Sequence, residues 1–381
     1  MTDAPALSEA PPPALRLTVD LGALVDNWQA LRRASGRART SAVVKADGYG
    51  LGLAPVVAAL RDAGCQDFFV ATIGEGITAR KAAPDARIFV LNGIYAGVEA
   101  AIREADLVPV LSSEAQVALW AADCAENGPH PCGIQVDTGM NRLGLTVRQA
   151  LDLADDQTRP ASLLPVLVMS HLACADEPAH PMNRRQLESF QTVAAAFDGI
   201  DSSLCNSAGI ALGPEFRFDL TRPGISLYGG RATNGIPHLM KPVARAEARI
   251  LQIRDAKAGE TVSYGAAETL KRDTRIAVCA VGYADGYHRG HSGAGVPLRA
   301  DDGLPRPAGF AAGRELPVLG RITMDLTMFD ITDAPDLREG AFIELFGPNM
   351  PLDRVAEAAG TIGYEILTSI GGRYERTHLP A

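Results

Sequence analysis

The chain has 381 residues, 47% of them hydrophobic and 21% charged, a balance that supports a large buried core and two domains rather than a disordered or fibrous chain. A formal net charge of −9 repels phosphate backbones and anionic lipid on average, so neither nucleic acid nor a membrane surface is an expected partner. No apolar run reaches the roughly 18 residues that a membrane span needs, and the six cysteines are scattered without CxxC pairs, which fits reduced thiols in a cytoplasm better than a disulfide framework.

The N-terminus, "MTDAPALSEAPPPALRL", lacks a basic n-region and a continuous apolar stretch, so it does not read as a secretory signal. Residues 1–18 are expected to be a disordered lead-in. Over residues 19–240, short β-rich runs alternate with amphipathic helical stretches, the pattern of βαβ units and a parallel sheet. The runs are "SAVV" (41–44), "FFVAT" (68–72), "RIFVL" (87–91), "LVPVL" (107–111), "CGIQVD" (132–137), "LLPVLVMS" (163–170), "SSLCN" (202–206) and "GISLYG" (224–229). Eight strands alternating with helices fit a closed (β/α)8 barrel better than an open, doubly wound sheet. Residues 241–381 change character: "VARAEARILQIRD", "RIAVCAVGYADGY", "MFDIT" and "AFIELF" predict a mainly β C-terminal domain. A Gly/Pro-rich stretch beginning "SGAGVP" reads as a hairpin excursion over the surface, and "PLDRVAEAAGTIGYEILTSI" as a last helical segment.

In a (β/α)8 barrel, functional groups gather at the C-terminal ends of the strands. Lys45 follows the first run, Asp137 and Arg142 the fifth, His171 the sixth, Asn206 and Ser207 the seventh, while Arg222 precedes the eighth as drawn. Lys45 is the sharpest of these. A lysine at a barrel mouth, with apolar residues before it, can be desolvated and its amine made nucleophilic, which makes a Schiff base plausible. The glycines after it, Gly48, Gly50 and Gly52, either let amides approach an anion or merely make the turn. Asp47 reads as a solvated loop carboxylate.

At these residues the chain resembles the bacterial alanine racemases. The resemblance spans essentially the whole sequence and rests on "VVKADGYGLG", "DTGMNRLG", "SHLACADE", "NSAG", "RPGISLYG", "VSYG", "VGYADGYHR", "GRITMD" and "GYEILTSI", in that order. It implies an N-terminal barrel binding pyridoxal 5′-phosphate (PLP), a C-terminal β domain, and interconversion of L- and D-alanine by two bases. By this resemblance Lys45 binds PLP as an imine and is the base for the D enantiomer, and Tyr264 is the base for the L enantiomer, reaching across a homodimer interface. The resemblance makes Arg222 the partner of the pyridine nitrogen, with His171 supporting Arg222 and Tyr264 in one hydrogen-bond network. Arg142 is expected near the cofactor phenolate and the substrate carboxylate. Tyr49, Ser207 and Tyr364, with the amides of Gly224 and Ile225, are expected to hold the phosphate. Tyr283, Met324, Asp325, Asp176 and Arg289 match positions lining the substrate site and its approach. No metal is implied.

One position departs from the family. Where members often carry a carbamylated lysine that orients the arginine matching Arg142, this chain has Gln135, which cannot be carbamylated; the charge is either dispensed with or supplied by a bound anion such as chloride. Two other functions compete with cytoplasmic D-alanine supply for peptidoglycan. One is a PLP racemase of serine or broad specificity; the broad-specificity racemases it would resemble are typically exported, and an N-terminus that does not read as a secretory signal disfavours them. The other is a non-catalytic PLP-binding protein, disfavoured because those resemble the barrel alone.

Overall fold

The computed structural model describes residues 12–155, 159–234, 240–300 and 303–381. They form two compact units. One comprises Asp20–Val243 with Pro380–Ala381, and the other the described residues up to Val19 together with Ala244–Leu379.

The first unit is a ring of eight parallel strand positions. Arg39–Thr40 and Ala42–Val43 make the first, followed by Asp67–Val70, Arg87–Val90, Val108–Leu111, Pro131–Asp137, Leu164–Met169, Asp201–Ser203 and Leu220–Thr221. The ring closes through backbone bonds: Asp219 N donates to Ser202 O (3.1 Å), Ser41 N to Thr221 O (3.0 Å) and Val43 N to Pro223 O (2.9 Å). Asp67–Val70 and Val108–Leu111 are buried at every residue, as strands covered on both faces must be. Inside the ring Phe69 and Phe89 stack at 4.7 Å, and Phe68, Phe69 and Phe89 are fully buried, each contributing about 2–3 kcal/mol of burial.

The eighth strand lies a few residues earlier than the sequence suggested. Ile225–Tyr228 is a 3-10 helix, and Leu220–Thr221 takes the strand position. The backbone of Gly224 (φ −125°, ψ −94°) and the left-handed Gly229 (φ 84°) turn the "GISLYG" run too tightly for a strand, although its apolar composition imitates one. Arg222 therefore follows the eighth strand and joins the other polar groups at the same end of the ring. At the opposite end, Arg39, Asp67, Arg87 and Asp201 form a cycle of ion pairs: Arg87 Nε meets Asp67 at 2.6 Å, Arg87 also meets Asp201 at 3.1 Å, and Arg39 pairs with both carboxylates. The Asp67 carboxylate is buried; Asp201 keeps a quarter of its side chain exposed.

The second unit is antiparallel. Ala244–Ala256 pairs with Phe342–Phe346 along its first half and with Thr274–Cys279 along its second. Thr327–Asp330, Arg314–Leu319 and Ala308–Ala311 complete a closed circuit back to Phe342–Phe346. The hairpin Ala308–Ala311 and Arg314–Leu319, at the end of the stretch expected to run over the surface, is thus part of this sheet, with Leu316 and Val318 buried. The last helical segment is two helices, Leu352–Ala359 and Gly363–Thr368, separated at Gly360 (φ 70°).

The lead-in needs correction. Leu15–Asp20 is a strand pairing with Ala244–Ala248. Leu15, Leu17 and Val19 are buried and alternate with more exposed Arg16 and Thr18, the period-2 pattern of a strand with one face on the core, and the strand lies between Ala244–Ala256 and Glu375–Leu379 in the sheet. Residues 1–11 of the expected lead-in lie outside the described residues.

Candidate functional site

Val44 ends the first barrel strand, and Lys45 opens a five-residue helical turn, Lys45–Tyr49. Ala46, Asp47, Gly48 and Tyr49 all have positive φ (55°, 54°, 63° and 56°). Only glycine takes this conformation freely; any other L-residue costs about 1–2 kcal/mol there, so the surrounding structure must hold the turn. Ala46 N donates to Glu75 Oε1 at 2.7 Å, and Leu53 N donates to Asp47 Oδ1 at 2.8 Å. Asp47 therefore has a job that the sequence reading did not give it: it caps the helix Leu53–Asp62, whose own N-cap position is Gly52 and has no side chain to offer.

Four groups predicted from separate strand ends act on one another electrostatically. Burial lowers the Lys45 amine from its ordinary value, the Arg142 charge lowers it further, and Glu75 opposes both. Burial, then the charges of Arg222, Arg142 and Lys45, push His171 down to about 3, so its imidazole is neutral at physiological pH. Arg222 is pulled down to about 10 by burial and stays charged. Its guanidinium donates to the hydroxyl of Ser203 and to the carbonyls of Ser170 (2.6 Å) and Leu204 (3.5 Å), and it lies 5.9 Å from the Phe69 ring centroid. The hydrogen bonds of Arg222 thus run to Ser203, Ser170 and Leu204, and its coupling to His171 is the repulsion by which the Arg222 charge disfavours a protonated imidazole. Asp137 and Asn206 are turn-makers: Asp137 accepts from the amides of Gly139 and Met140, and Asn206 from Gly209 N. Gln135 is half-buried on the fifth strand, in register with Met169.

Beside these groups lies a cradle of neutral donors. Ser207 Oγ accepts from Gly224 N at 2.8 Å and from Ser226 N at 3.4 Å. A Cβ on Gly224 would sit 2.3 Å from the Tyr49 hydroxyl, so only glycine lets that hydroxyl, the Ser207 hydroxyl and the backbone leading into Ile225 share one place. Tyr49 stacks on Tyr228 at 4.4 Å, and the Tyr228 hydroxyl donates to Val43 O at 3.0 Å. Neutral hydroxyls and amides of this kind suit an oxyanion.

The remaining predicted residues belong to the β unit. Tyr264 is 74% exposed and, like Lys45, sits on a left-handed loop, with positive φ at Ser263 (69°), Gly265 (72°) and Ala266 (48°); Ser263 Oγ donates to Arg321 O at 2.7 Å. Tyr283 N donates to Thr323 O and Ala284 N to Met324 O, which brings Tyr283, Met324 and Asp325 together. Arg373 ties the group to the fold by bonding Asp325 (2.8 Å) and the buried Asp285 (2.6 Å). Tyr364 begins the helix Gly363–Thr368 half-exposed, and Arg289 lies in the 3-10 turn Arg289–His291. Asp176, in the barrel unit, is exposed, and its carbonyl accepts from Asn234 N. Glu75, Ser203 and Arg373 were missed by sequence reasoning; only Glu75 left a local trace, as the fourth residue of a Thr72-x-x-Glu75 capping box.

A lysine whose amine is lowered by burial at the mouth of a closed barrel, next to hydroxyls and amides suited to an oxyanion, fits the class of enzymes that carry a carbonyl cofactor on a lysine side chain. Comparison with known proteins narrows the class. The alanine racemase N-terminal domain family matches residues 19–232, and the alanine racemase C-terminal domain family matches residues 243–378. The "Alanine racemase, biosynthetic" of Agrobacterium fabrum is 61% identical over 99% of this chain and 96% of its own length, and the alanine racemase of Rhizobium meliloti 56% identical over 96% of each. The crystal structure of alanine racemase from Bartonella henselae with covalently bound pyridoxal phosphate superposes with a TM-score of 0.88 at 36% identity, covering 97% of this chain and 100% of that one. The chain belongs to the alanine racemase family, a family of PLP-dependent isomerases.

Proposed function

We propose that the chain interconverts L- and D-alanine with PLP bound at the barrel mouth, using Lys45 and Tyr264 as opposed bases. One observation carries the reading: Lys45, its amine lowered by burial and by Arg142, stands in the same barrel mouth as the Tyr49–Ser207–Gly224 cradle. The residues fit the cofactor. The cradle suits a phosphate and is closed to any Cβ at Gly224, while Arg222, buried and charged, suits a hydrogen bond to a ring nitrogen that stays unprotonated, because a guanidinium does not give up its own proton at neutral pH.

When bound, PLP acidifies the α-proton of the amino acid joined to it by spreading the electron pair left behind into its ring. The chain's own residues then divide the work. A lowered amine pKa makes Lys45 easier to deprotonate than an exposed lysine, and the neutral amine can attack a carbonyl carbon through its nitrogen lone pair and later accept or return a proton. Racemisation needs removal on one face and delivery on the other, and Tyr264 supplies the phenol oxygen for the second face. His171 is neutral and neither competes for the transferred proton nor adds a fourth cation beside Arg222, Arg142 and Lys45. Arg142 is assigned to the substrate carboxylate, and Tyr283, Met324 and Asp325, tied down through Arg373, are assigned to bounding the substrate. Tyr364 is assigned to the phosphate along with Ile225 N.

A base as exposed as Tyr264 works in a desolvated site only when covered, which supports a homodimer in which each subunit lends its tyrosine to the other's barrel. The relative named biosynthetic supports D-alanine supply for peptidoglycan, and the reduced-thiol composition supports a cytoplasmic place. Among the described residues no helix is long and apolar enough to cross a membrane. The test is exchange of the α-proton of L- and D-alanine in heavy water, with enantiomer analysis. Both enantiomers should exchange with inversion, and borohydride should fix the coenzyme on Lys45. Racemisation by Lys45→Ala at the wild-type rate would overturn the assignment.

A further inference from the structure

Glu75 stands outside the predicted site yet makes three hydrogen bonds around it. Oε2 accepts from Ala71 N at 2.8 Å and Thr72 N at 3.2 Å, closing the capping box of the helix Ile73–Ala82. Oε1 reaches across to the first strand's loop and accepts from Ala46 N at 2.7 Å. The carboxylate is thus fixed on one side by a rigid helix start, and its free oxygen holds the peptide that leaves Lys45. That peptide enters the left-handed run Ala46–Tyr49, where three of four residues are not glycine and would relax toward ordinary φ if released.

We propose that Glu75 is the positioning residue of the lysine, holding the strained turn Ala46–Tyr49 so that the Lys45 amine is aimed at the reacting carbon while the Tyr49 hydroxyl faces Gly224. The proposal deepens the reading above and rests on Lys45 being the cofactor lysine. A carboxylate suits the task better than an amide because all three of its partners are N–H donors, and a glutamine would turn its own NH2 toward one of them. The negative charge has a second effect. Among the described residues, Arg142 and His171 act on Lys45 as a cation and a neutral ring, whereas Glu75 favours the protonated amine and keeps Lys45 from becoming a weaker base.

The test compares wild type with Glu75→Gln and Glu75→Asp as full-length holoenzymes. Alanine interconversion has matched forward and reverse efficiencies, so a slower proton transfer at Lys45 shows as a change in which step limits the rate. The primary isotope effect with α-deuterated D-alanine should rise toward its full value, while that with α-deuterated L-alanine falls toward unity. Efficiency should drop about tenfold or more, as loss of a charged hydrogen bond implies. The acid limb of the pH profile belonging to Lys45 should move to lower pH in Glu75→Gln but stay in Glu75→Asp, which keeps the charge and loses the reach. Independently of turnover, hydroxylamine should strip the coenzyme faster from both variants, read from its visible absorbance. Adding Ala46→Gly to Glu75→Gln should restore part of the loss, since glycine takes the left-handed φ without strain. Unchanged isotope effects and stripping rates in both variants would overturn the proposal, and so would a uniform loss of folding without the D/L asymmetry. If Lys45→Ala keeps borohydride-fixed coenzyme, the underlying reading fails instead.

Discussion

Replacing Gly224 with alanine tests the cradle directly. The added Cβ would meet the Tyr49 hydroxyl at 2.3 Å and its Cζ at 3.2 Å, with Val43 Cβ at 3.6 Å, whereas carbon prefers contacts of about 3.5 Å or more. Tyr49 must retreat by about an ångström, and it has little room: its ring is stacked 4.4 Å from Tyr228, which is pinned by its bond to Val43 O. Overpacking of a buried site costs about 1–3 kcal/mol, which is roughly 5- to 150-fold in an equilibrium constant. The expected outcome is coenzyme affinity weakened within that range, measured by titrating apoprotein and following its visible absorbance, together with a lower melting temperature. Because the contact is to the hydroxyl, Gly224→Ala combined with Tyr49→Phe should cost less than the two changes added together. Affinity within twofold of wild type for Gly224→Ala, or strict additivity in the double variant, would refute the cradle.

Two further outcomes are expected away from the lysine. Burial pushes the Asp201 carboxyl up, but hydrogen bonds and charge from Arg39 and then Arg87 outweigh it and lower it overall. A depressed acid contributes stability above its unfolded range, lost as pH falls through the folded value; Asp201→Asn should cost on the order of 1 kcal/mol at pH 7, since the pairs are partly exposed. That difference should close as melting is followed into strong acid, and a gap constant with pH would refute the ion-pair account. His171, held down to about 3, should keep the nitrogen chemical shifts of a neutral ring from pH 8 to about 5; a titration midpoint at the ordinary 6.5 would show that the neighbouring cations do not face it.

Much of the barrel was legible because parallel strands buried on both faces leave continuous apolar runs, such as "RIFVL" and "LVPVL", and because the first, fifth, sixth and seventh runs lead into polar groups. The misplaced eighth strand shows the limit of that signal. Leu220–Thr221 is two residues long and holds its place by bonds to Arg39 and Ser41 on the first strand, a partnership closed only when the ring closes, whereas the longer run after it is coiled by Gly224 and Gly229. Leu15–Asp20 hid for a related reason, since its partners begin at Ala244 and a proline-rich preface made it look like a tail. Lys45 and Arg222 were readable by residue type; what holds them was not. The left-handed φ of Ala46 and Asp47 leaves no mark in composition, and neither the bond from Ala46 to Glu75 nor those from Arg222 to Ser203 and Ser170 are expressed in any local period.

The strand Leu15–Asp20 also sets an order of events at the ribosome. Its apolar face is synthesised first, but the segment it pairs with begins at Ala244, and at ordinary elongation rates that partner appears roughly ten to forty-five seconds later. In that interval Asp20–Val243 can emerge and close its ring, while Leu15, Leu17 and Val19 wait with no sheet to join. A nascent chain whose residues up to Val243 have left the ribosome would therefore carry a closed barrel and an unpaired apolar strand at its N-terminus, a natural handhold for a chaperone.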